Sequence, residues 1–302
     1  MAARRFVVVS DLDGTLLDHD TYSADAVRPA LDRLSRAGIP IVLSSSKTRA
    51  EIEAVQRDLG LSGAFISENG GGVFLPAGMA LAGRWPSHPV GGYDLIEMGV
   101  PYQEVVSRLH LAAADARVRV RGFASMTADE VAAATGLTLE QARLAKLRDF
   151  GEPFQLFDAD AAAESRLADA ARARGLTLAR GGRFRHASAG HDKGAAVQVL
   201  REAWLGCDPE PFVVAFGDGL NDAPMLEAAE LAVIVRAHDP TATAELARRL
   251  PGAIVTPVAG PAGVAAVIDR DVPARLSGLG TVAPWPEPLA GPPAGSPSEV
   301  RP

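Results

Sequence analysis

Short apolar segments alternate with amphipathic segments along most of the chain, and this alternation restricts the fold more than any other feature of the sequence. The first segment, Phe6–Ser10, is apolar and β-branched on both faces, which is typical of a strand buried inside a parallel sheet. A helical pattern follows over residues 23–37 and ends at Gly38. Repetition of strand, helix and strand predicts a right-handed parallel sheet that is covered by helices on both faces.

The pattern changes in the middle of the chain and then returns. Residues 85–182 contain shorter, more polar strand segments and two helix starts with capping boxes, Thr127–Glu130 and Thr138–Gln141. We therefore predict a discontinuous core domain formed by residues 1–84 and 183–272. This core is α/β, a doubly wound, Rossmann-like parallel sheet, and residues 85–182 form an inserted α+β cap domain.

Composition limits the partners and the compartment. A net charge of −7 over 302 residues argues against nucleic acid or an anionic membrane as the main partner. No segment reaches the ~20 apolar residues that a transmembrane helix requires. The single cysteine, Cys207, excludes an intrachain disulfide, so we predict a cytoplasmic protein. Residues 273–302 are rich in Pro, Gly and Ser and are predicted to be a flexible tail, and the oligomeric state is left open.

The first predicted strand ends at two carboxylates, in the segment DLDGT at residues 11–15. Ligands of open α/β sheets bind at the carboxyl ends of the strands, so Asp11 and Asp13 lie at the predicted binding edge. A carboxylate there can attack phosphorus and form an aspartyl phosphate. Asp and Gly are also common in turns, so this motif alone leaves a simple turn open.

A second acidic loop repeats this arrangement in the segment GDGLNDAP, residues 217–224. Asp218 and Asp222 follow an apolar strand segment and precede a helix. Carboxylates without neighbouring thiols or imidazoles suit a hard cation such as Mg²⁺. Two acidic loops at two strand ends therefore predict one Mg²⁺ site.

Two further residues are consistent with phosphoryl transfer. Ser45 ends the second predicted strand, where its hydroxyl and backbone N–H can hold a phosphate oxygen. Lys193 lies at the start of a helix and can offset the charge of the phosphate and of an aspartate. Either residue alone is typical of a protein surface, and each becomes informative only beside the two acidic loops.

The four motifs, Asp11-x-Asp13, Ser45, Lys193 and Gly217-Asp218-Gly219 with Asp222, resemble those of the haloacid dehalogenase superfamily. The long insertion between the second and third motifs resembles the subclass with a large α/β cap. Over about residues 6–268 the chain is similar to the mannosyl-3-phosphoglycerate phosphatase family. The segments that carry this similarity are SSSKTRAEIE, SENGG, LRDFGEPF, GGRFRHASAGHDKGAAV and FGDGLNDAPMLE.

The resemblance implies a Mg²⁺-dependent phosphatase that converts mannosyl-3-phosphoglycerate into mannosylglycerate and phosphate. Asp11 is then the nucleophile, and Asp13 protonates the leaving oxygen and later deprotonates water. The metal is expected to bind the Asp11 carboxylate, the Asp13 backbone carbonyl and Asp218, with Asp222 nearby or linked through water.

The implied substrate carries a phosphate, a carboxylate and a hydroxyl-rich ring, so its site needs further polar groups. Arginine suits a planar carboxylate because it can donate two parallel hydrogen bonds. The side chains predicted to bind the charged groups are Lys47, Arg49, Arg148, Arg183 and His186. Those predicted to contact sugar hydroxyls are Glu68, Asn69 and Glu152.

Three alternatives remain open at this stage. A phosphosugar mutase would use Asp11 and Asp13 but would retain the phosphoryl group, so release of free phosphate separates it from a phosphatase. A non-enzymatic binding protein would be expected to lack one of the four motifs, and all four are present. A related sugar phosphatase would act on glucosyl-3-phosphoglycerate or on a hexose phosphate.

Overall fold

The computed structural model describes residues 5–79, 85–157, 160–180, 184–203 and 211–279. The strands, numbered in chain order, are β1 (Phe6–Ser10), β2 (Ile41–Ser44), β3 (Phe65–Ser67), β4 (Gly72–Pro76), β5 (His88–Val90), β6 (Tyr93–Glu97), β7 (Arg119–Gly122), β8 (Glu152–Phe157), β9 (Thr177–Arg180), β10 (Arg185–Ser188), β11 (Phe212–Gly217), β12 (Leu231–Arg236) and β13 (Ile254–Ala259). The helices are α1 (Arg28–Arg36), α2 (Arg49–Leu59), α3 (Tyr102–Ala116), α4 (Ala128–Thr135), α5 (Leu139–Ala145), α6 (Ala161–Ala173), α7 (Lys193–Ala203), α8 (Ala223–Glu227), α9 (Pro240–Arg249) and α10 (Gly260–Leu279).

The larger sheet forms the core of the molecule. Among the described residues it has the strand order β13-β12-β11-β1-β2-β3-β4-β6-β5, in which the strands from β13 to β3 are parallel and the last three are antiparallel. All five residues of β1 are buried, as apolar character on both faces predicts. Helices α1, α2 and α10 bury apolar residues against one face, and α7, α8 and α9 against the other. The predicted doubly wound α/β core is confirmed.

The smaller sheet belongs to the cap. Its strands are antiparallel in the order β7-β8-β10-β9. Helices α3 and α6 pack together on it, with Leu109 and Leu167 in the same buried cluster as Phe154 of β8. Helices α4 and α5 begin at the two predicted capping boxes, where Thr127 and Thr138 accept hydrogen bonds from the third residue of each helix.

The boundaries between the core and the cap differ from the predicted ones. Strands β5 and β6, inside the predicted cap range 85–182, belong to the large sheet: β6 pairs with β4, and its Leu95 and Ile96 are buried. The start at residue 85 is therefore wrong, because this polar hairpin covers the edge of the large sheet. The predicted return of the chain to the core domain at residue 183 is also wrong. Strand β10 pairs with β8 on one side and with β9 on the other, so it remains in the cap.

Helix α10 continues to Leu279, so residues 273–279 of the predicted tail are helical. Residues 280–302 lie outside the described residues, as do Cys207 and Arg183. In the part of the chain that the structure describes, no helix has the length and apolar character needed to cross a bilayer.

Candidate active site

The carboxyl ends of adjacent parallel strands bring the predicted catalytic loops together. Asp11 follows β1, and its backbone N–H donates to the Phe216 carbonyl of β11 over 2.9 Å. Ser45 follows β2, the loop with Asp218 and Asp222 follows β11, and Lys193 begins α7. Parallel pairing of β2, β1 and β11 thus places three of these parts at one edge of the sheet, and the start of α7 brings Lys193 against Asp11.

Lys193 is completely buried and bridges two of these carboxylates. Its Nζ donates to Asp11 Oδ1 over 2.5 Å, to Asp222 Oδ1 over 2.6 Å and to the Ser44 carbonyl over 2.9 Å. Burial alone would lower the pKa of Lys193, but the carboxylates of Asp11 and Asp222 raise it above its usual value. All three ammonium protons are therefore engaged, and the lysine is a fixed positive charge beside Asp11.

Asp11, Asp218 and Asp222 form an acidic cluster in which one carboxylate oxygen of each residue lies within 4.8 Å of the others. Burial raises the pKa of Asp11 well above its usual value; Lys193 opposes this effect, and Asp222 and Asp218 add to it. Burial and the neighbouring Asp222 carboxylate raise the pKa of Asp218 to about 6. The raised pKa values reflect burial first and repulsion among the carboxylates second, and a bound cation would favour the charged forms against both effects.

The cluster fits a divalent metal ion. Its donor atoms are oxygens, which hard cations prefer. Gly14, at φ 79°, lies against it, and a Cβ at this position would be 2.5 Å from Asp218 Oδ2. Thr15 Oγ1 donates to Asp218 Oδ1 over 3.1 Å and orients that carboxylate. The residues present therefore offer the oxygen donors and the negative charge that suit a cation beside Asp11 and Asp218.

Asp222 contributes to the cluster mainly by holding its loop. Its Oδ1 accepts from Lys193, and its Oδ2 accepts from the backbone N–H groups of Asp218 and Gly219 over 3.0 and 2.9 Å. A Cβ at Gly217 would lie 2.5 Å from the Asp222 Cβ, so only glycine allows this close approach. Both oxygens of Asp222 are thus already hydrogen-bonded.

Asp13 faces the space above the cluster. Its Oδ2 lies 2.9 Å from Lys47 Nζ, and its side chain is 38% exposed. Its Oδ1 is buried and has no hydrogen-bond donor among the described residues. Lys47 Nζ also lies 5.6 Å from the centre of the Tyr22 ring. Of the two Asp13 oxygens, Lys47 therefore pairs with one, and the buried one has no hydrogen-bond donor among the described residues.

Ser45 is placed as predicted, but only one of its two predicted donors is available. Its backbone N–H donates to the Ile66 carbonyl over 3.0 Å, so the predicted contact of this N–H with phosphate is wrong. Its Oγ accepts a hydrogen bond from the Lys47 backbone N–H over 3.2 Å, which leaves the hydroxyl proton for another acceptor.

Glu68 and Glu152 are not placed to bind sugar hydroxyls, and these two predictions are wrong. The Glu68 carboxylate is buried and accepts hydrogen bonds from the cap segment 148–151. The Glu152 carboxylate is buried within the cap, where it accepts from the Tyr102 hydroxyl over 2.6 Å and from the Ala124 N–H over 2.9 Å. Sequence shows that a residue is polar but does not show whether its own protein already satisfies it.

Of the other predicted substrate contacts, one lies away from the cleft and two lie beside the catalytic loops or in the cleft. Arg49 pairs with Glu53 over 2.7 Å and lines a different cavity, beside Asp149, so its predicted place in the cleft is wrong. Asn69 Oδ1 accepts from Asn221 Nδ2 over 3.3 Å, next to the acidic loop. His186 lies in the cleft, and burial together with the charge of Arg148 lowers its pKa to about 4.

A cleft of about 340 Å³ separates the core loops from the cap. Asp13 and Lys47 line it from the core, and Arg148 and His186 line it from the cap. Other residues that line the cleft were not predicted from the sequence, because none lies in one of the four motifs: His19, Tyr22, Phe123, Pro153 and Phe184. Phe123 and Phe184 meet edge to face with ring centres 5.1 Å apart, although 61 positions separate them in the chain.

Comparisons with known proteins agree with this geometry. A model of the haloacid dehalogenase-like hydrolase family matches residues 8–78 and 164–267. A Methanococcoides burtonii protein named glucosyl-3-phosphoglycerate/mannosyl-3-phosphoglycerate phosphatase is 39% identical over 235 residues, which are 78% of this chain and 86% of that protein. A Persephonella marina protein of the same name is 36% identical over 231 residues, 76% of this chain and 84% of that protein.

A solved structure supports the same fold. A phosphatase of the haloalkanoate (HAD) superfamily from Bacteroides thetaiotaomicron superimposes with a TM-score of 0.62 at 18% identity, covering 91% of this chain and 96% of that chain. The chain belongs to the haloacid dehalogenase-like hydrolase family. Within that family it is similar to two proteins named as phosphatases, and the predicted class of enzyme, a phosphoric monoester hydrolase, is confirmed.

Proposed function

We propose that this chain is a Mg²⁺-dependent phosphatase that hydrolyses mannosyl-3-phosphoglycerate to mannosylglycerate and phosphate. Glucosyl-3-phosphoglycerate is a second candidate substrate, because the names of both relatives include it. The observation that carries the proposal is the buried Asp11–Lys193 pair beside an all-oxygen acidic cluster, two residues from Asp13, which lines a cleft between the core loops and the cap. The predicted cytoplasmic location stays a prediction.

The reaction needs two steps at one phosphorus atom. A carboxylate oxygen of Asp11 attacks phosphorus while the bond to the 3-oxygen of the glycerate breaks, and Asp13 gives that oxygen a proton. Asp13 then accepts a proton from the water that attacks the aspartyl phosphate. Phosphate leaves, and the Asp11 carboxylate is restored. The Ser45 hydroxyl is proposed to hold a phosphate oxygen, and Lys193, whose three protons are engaged, is proposed to balance the charge of the phosphate and Asp11.

Mg²⁺ is the metal that we propose for the acidic cluster. The Asp11 and Asp218 carboxylates and the Asp13 backbone carbonyl would hold it, and Asp222 would act through its loop because both its oxygens are engaged. When bound, the ion would reduce the repulsion between the Asp11 carboxylate and the phosphate.

The rest of the substrate is proposed to occupy the cleft above Asp13. Lys47 is the candidate for the glycerate carboxylate, since it is a cation that lines the cleft. His186, whose low pKa keeps it neutral at pH 7, can both donate and accept a hydrogen bond with a hydroxyl. Asn69, Arg148 and Arg183 stay predictions as substrate contacts.

The substrate assignment predicts a clear order of rates. With Mg²⁺ present, we expect kcat/KM for the two glycosyl-3-phosphoglycerates to exceed that for hexose 6-phosphates by about 10³-fold or more, because only the former place a carboxylate beside Lys47. Release of inorganic phosphate from a panel of both classes measures this. Equal rates would leave only a general sugar phosphatase, and phosphoryl transfer to another hydroxyl without free phosphate would indicate a mutase.

The metal assignment predicts dependence on an added divalent ion. Treatment with EDTA should abolish phosphate release, and Mg²⁺ should restore it. Binding to the folded chain alone should also raise the unfolding free energy, by about 2.7 kcal/mol at 100 times the dissociation constant. Thermal unfolding with and without Mg²⁺ measures this independently of activity. Asp218→Asn should lose the stabilisation; an unchanged response in this variant would place the metal elsewhere.

A further inference from the structure

One short segment of the core contacts the loops of Ser45, Lys193 and Asp222 and also the cap. It follows β3 and comprises residues 68–71. The Glu68 N–H donates to the Lys47 carbonyl over 3.0 Å, and the Asn69 N–H donates to the Ser45 carbonyl over 2.8 Å. The Glu68 carbonyl lies 3.2 Å from His191 Nε2, two residues before Lys193. The backbone of this segment is therefore fixed to the loops of Ser45 and Lys193.

The side chain of Glu68 points the other way, into the cap. Its Oε1 accepts from the Asp149 N–H over 2.8 Å, and its Oε2 accepts from the N–H groups of Phe150 and Gly151 over 3.1 and 2.8 Å. Arg148 Nη2 lies 3.1 Å from the same Oε2. Successive backbone N–H groups of this kind form a concave site for an anion, and here the anion belongs to the core.

Arg148 strengthens the same connection. Its Nε donates to the Gly151 carbonyl over 2.6 Å, and its Nη2 donates to the Ser46 carbonyl over 3.0 Å. The Glu68–Arg148 pair is almost completely buried, with side-chain exposures of 0% and 4%. A buried pair with this many hydrogen bonds holds one geometry, because neither charge can leave without losing its partners.

The backbone of the segment is strained at the same place. Glu68 and Asn69 have φ values of 48° and 58°, the left-handed region that non-glycine residues rarely adopt. Such strain persists where surrounding contacts determine the conformation, and it is concentrated at functional sites. The unusual turn allows one residue to bond to the catalytic loops through its backbone and to the cap through its carboxylate.

We propose that Glu68 is a positioning residue, whose carboxylate fixes the orientation of the cap over the catalytic loops. This inference rests on the proposed function, since its effect on catalysis depends on a substrate that the cap contacts. The two chain crossings near Gly99 and Ala189 connect the cap covalently. The Glu68 contacts add a noncovalent connection, alongside the hydrogen bonds from Thr48 Oγ1 to the Leu144 carbonyl and from Arg148 Nη2 to the Ser46 carbonyl. A substrate that fills the cleft needs this orientation, whereas a small phosphate ester needs only the core loops.

The test compares Glu68→Gln with Glu230→Gln. Glu230 is the control because its carboxylate, although 39% exposed, also pairs with an arginine, Arg201, and accepts a backbone N–H, that of Val213, at the opposite end of β11. For Glu68→Gln we expect kcat/KM for mannosyl-3-phosphoglycerate to fall about 30-fold, and that for p-nitrophenyl phosphate to change less than about threefold. Glu230→Gln should leave the ratio of the two substrates unchanged.

Hydrogen exchange gives a readout that needs no substrate. The amides of Asp149, Phe150 and Gly151 should exchange about tenfold faster or more in Glu68→Gln and at the wild-type rate in Glu230→Gln. If Glu68→Gln does not fold, Glu68→Asp serves as a second variant, because it keeps the charge but shortens the side chain by one methylene. We expect the same loss of kcat/KM for mannosyl-3-phosphoglycerate and the same faster exchange in this variant. Equal losses on both substrates with unchanged exchange would overturn the proposal. Wild-type inactivity on both glycosyl-3-phosphoglycerates would instead refute the proposed function and leave the exchange test intact.

Discussion

Asp11→Asn is expected to lower kcat for phosphate release by about 10³-fold or more while the chain remains folded. The amide keeps the shape of the carboxylate but lacks the charge that attacks phosphorus, so no aspartyl phosphate forms. The substrate for this measurement can be p-nitrophenyl phosphate, because the expected loss concerns the core loops and does not depend on the sugar.

The expected survival of the fold follows from the contacts of Asp11. Burial and three neighbouring carboxylates, those of Asp222, Asp218 and Asp13, raise its pKa, so its charge is unfavourable there apart from the pairing with Lys193. In the variant, Lys193 keeps Asp222 and the Ser44 carbonyl as partners. We therefore expect a wild-type circular dichroism spectrum and a small change in Tm.

Two measurements make this prediction specific. Asp32→Asn is the same chemical change at an exposed position of α1, and it should retain the wild-type rate. Acid-quenched wild-type enzyme should contain a peptide with one added phosphoryl group that includes Asp11. A tenth of the wild-type rate in folded Asp11→Asn, or a phosphoryl group on another residue, would assign the nucleophile elsewhere.

The sequence predicted the centre of the site because strand ends determine it. Asp11, Ser45 and Asp218 each follow an apolar strand segment, and parallel strands of one sheet end at one edge. The periphery was predicted less well. Arg49 is only four residues beyond Ser45, but it lies in the first turn of α2 and pairs with Glu53, whereas Lys47 precedes the helix and reaches Asp13.

Pairing between distant segments accounts for the other errors. The β5–β6 hairpin was predicted in the cap from its polar composition, but its place depends on the edge that β4 offers, which no local pattern reveals. The cap wall of the cleft contains Phe123 and Phe184, which become neighbours only when the cap folds. Their aromatic character gave no reason to separate them from ordinary core residues.

Lys193→Met is expected to abolish activity and to destabilise the fold, unlike Asp11→Asn. The substitution keeps an unbranched side chain, one heavy atom shorter, and removes the charge that pairs with both Asp11 and Asp222. Removal of one partner from a buried ion pair typically costs about 3–5 kcal/mol, because the other charge stays buried without compensation. Denaturant unfolding in the presence of EDTA measures this loss without a contribution from metal.

An exposed cation gives the comparison for this loss. Arg28 pairs with Asp58 at the surface, and its side chain is 36% exposed. Arg28→Met should therefore change the unfolding free energy by no more than about 1 kcal/mol. A similar small change for Lys193→Met would mean that water or altered protonation already compensates the two carboxylates.

The double variant Lys193→Met/Asp222→Asn separates the two roles of the lysine. Asp222→Asn removes one of the two carboxylates that Lys193 balances, so the double variant should be more stable than Lys193→Met alone, a coupling that a double-mutant cycle quantifies. Its activity should remain lost, because Asp11 still lacks the cation that offsets the charge of the phosphate. Recovery of activity together with stability would show that Lys193 acts only through the fold; recovery of stability alone assigns it to the chemistry at Asp11.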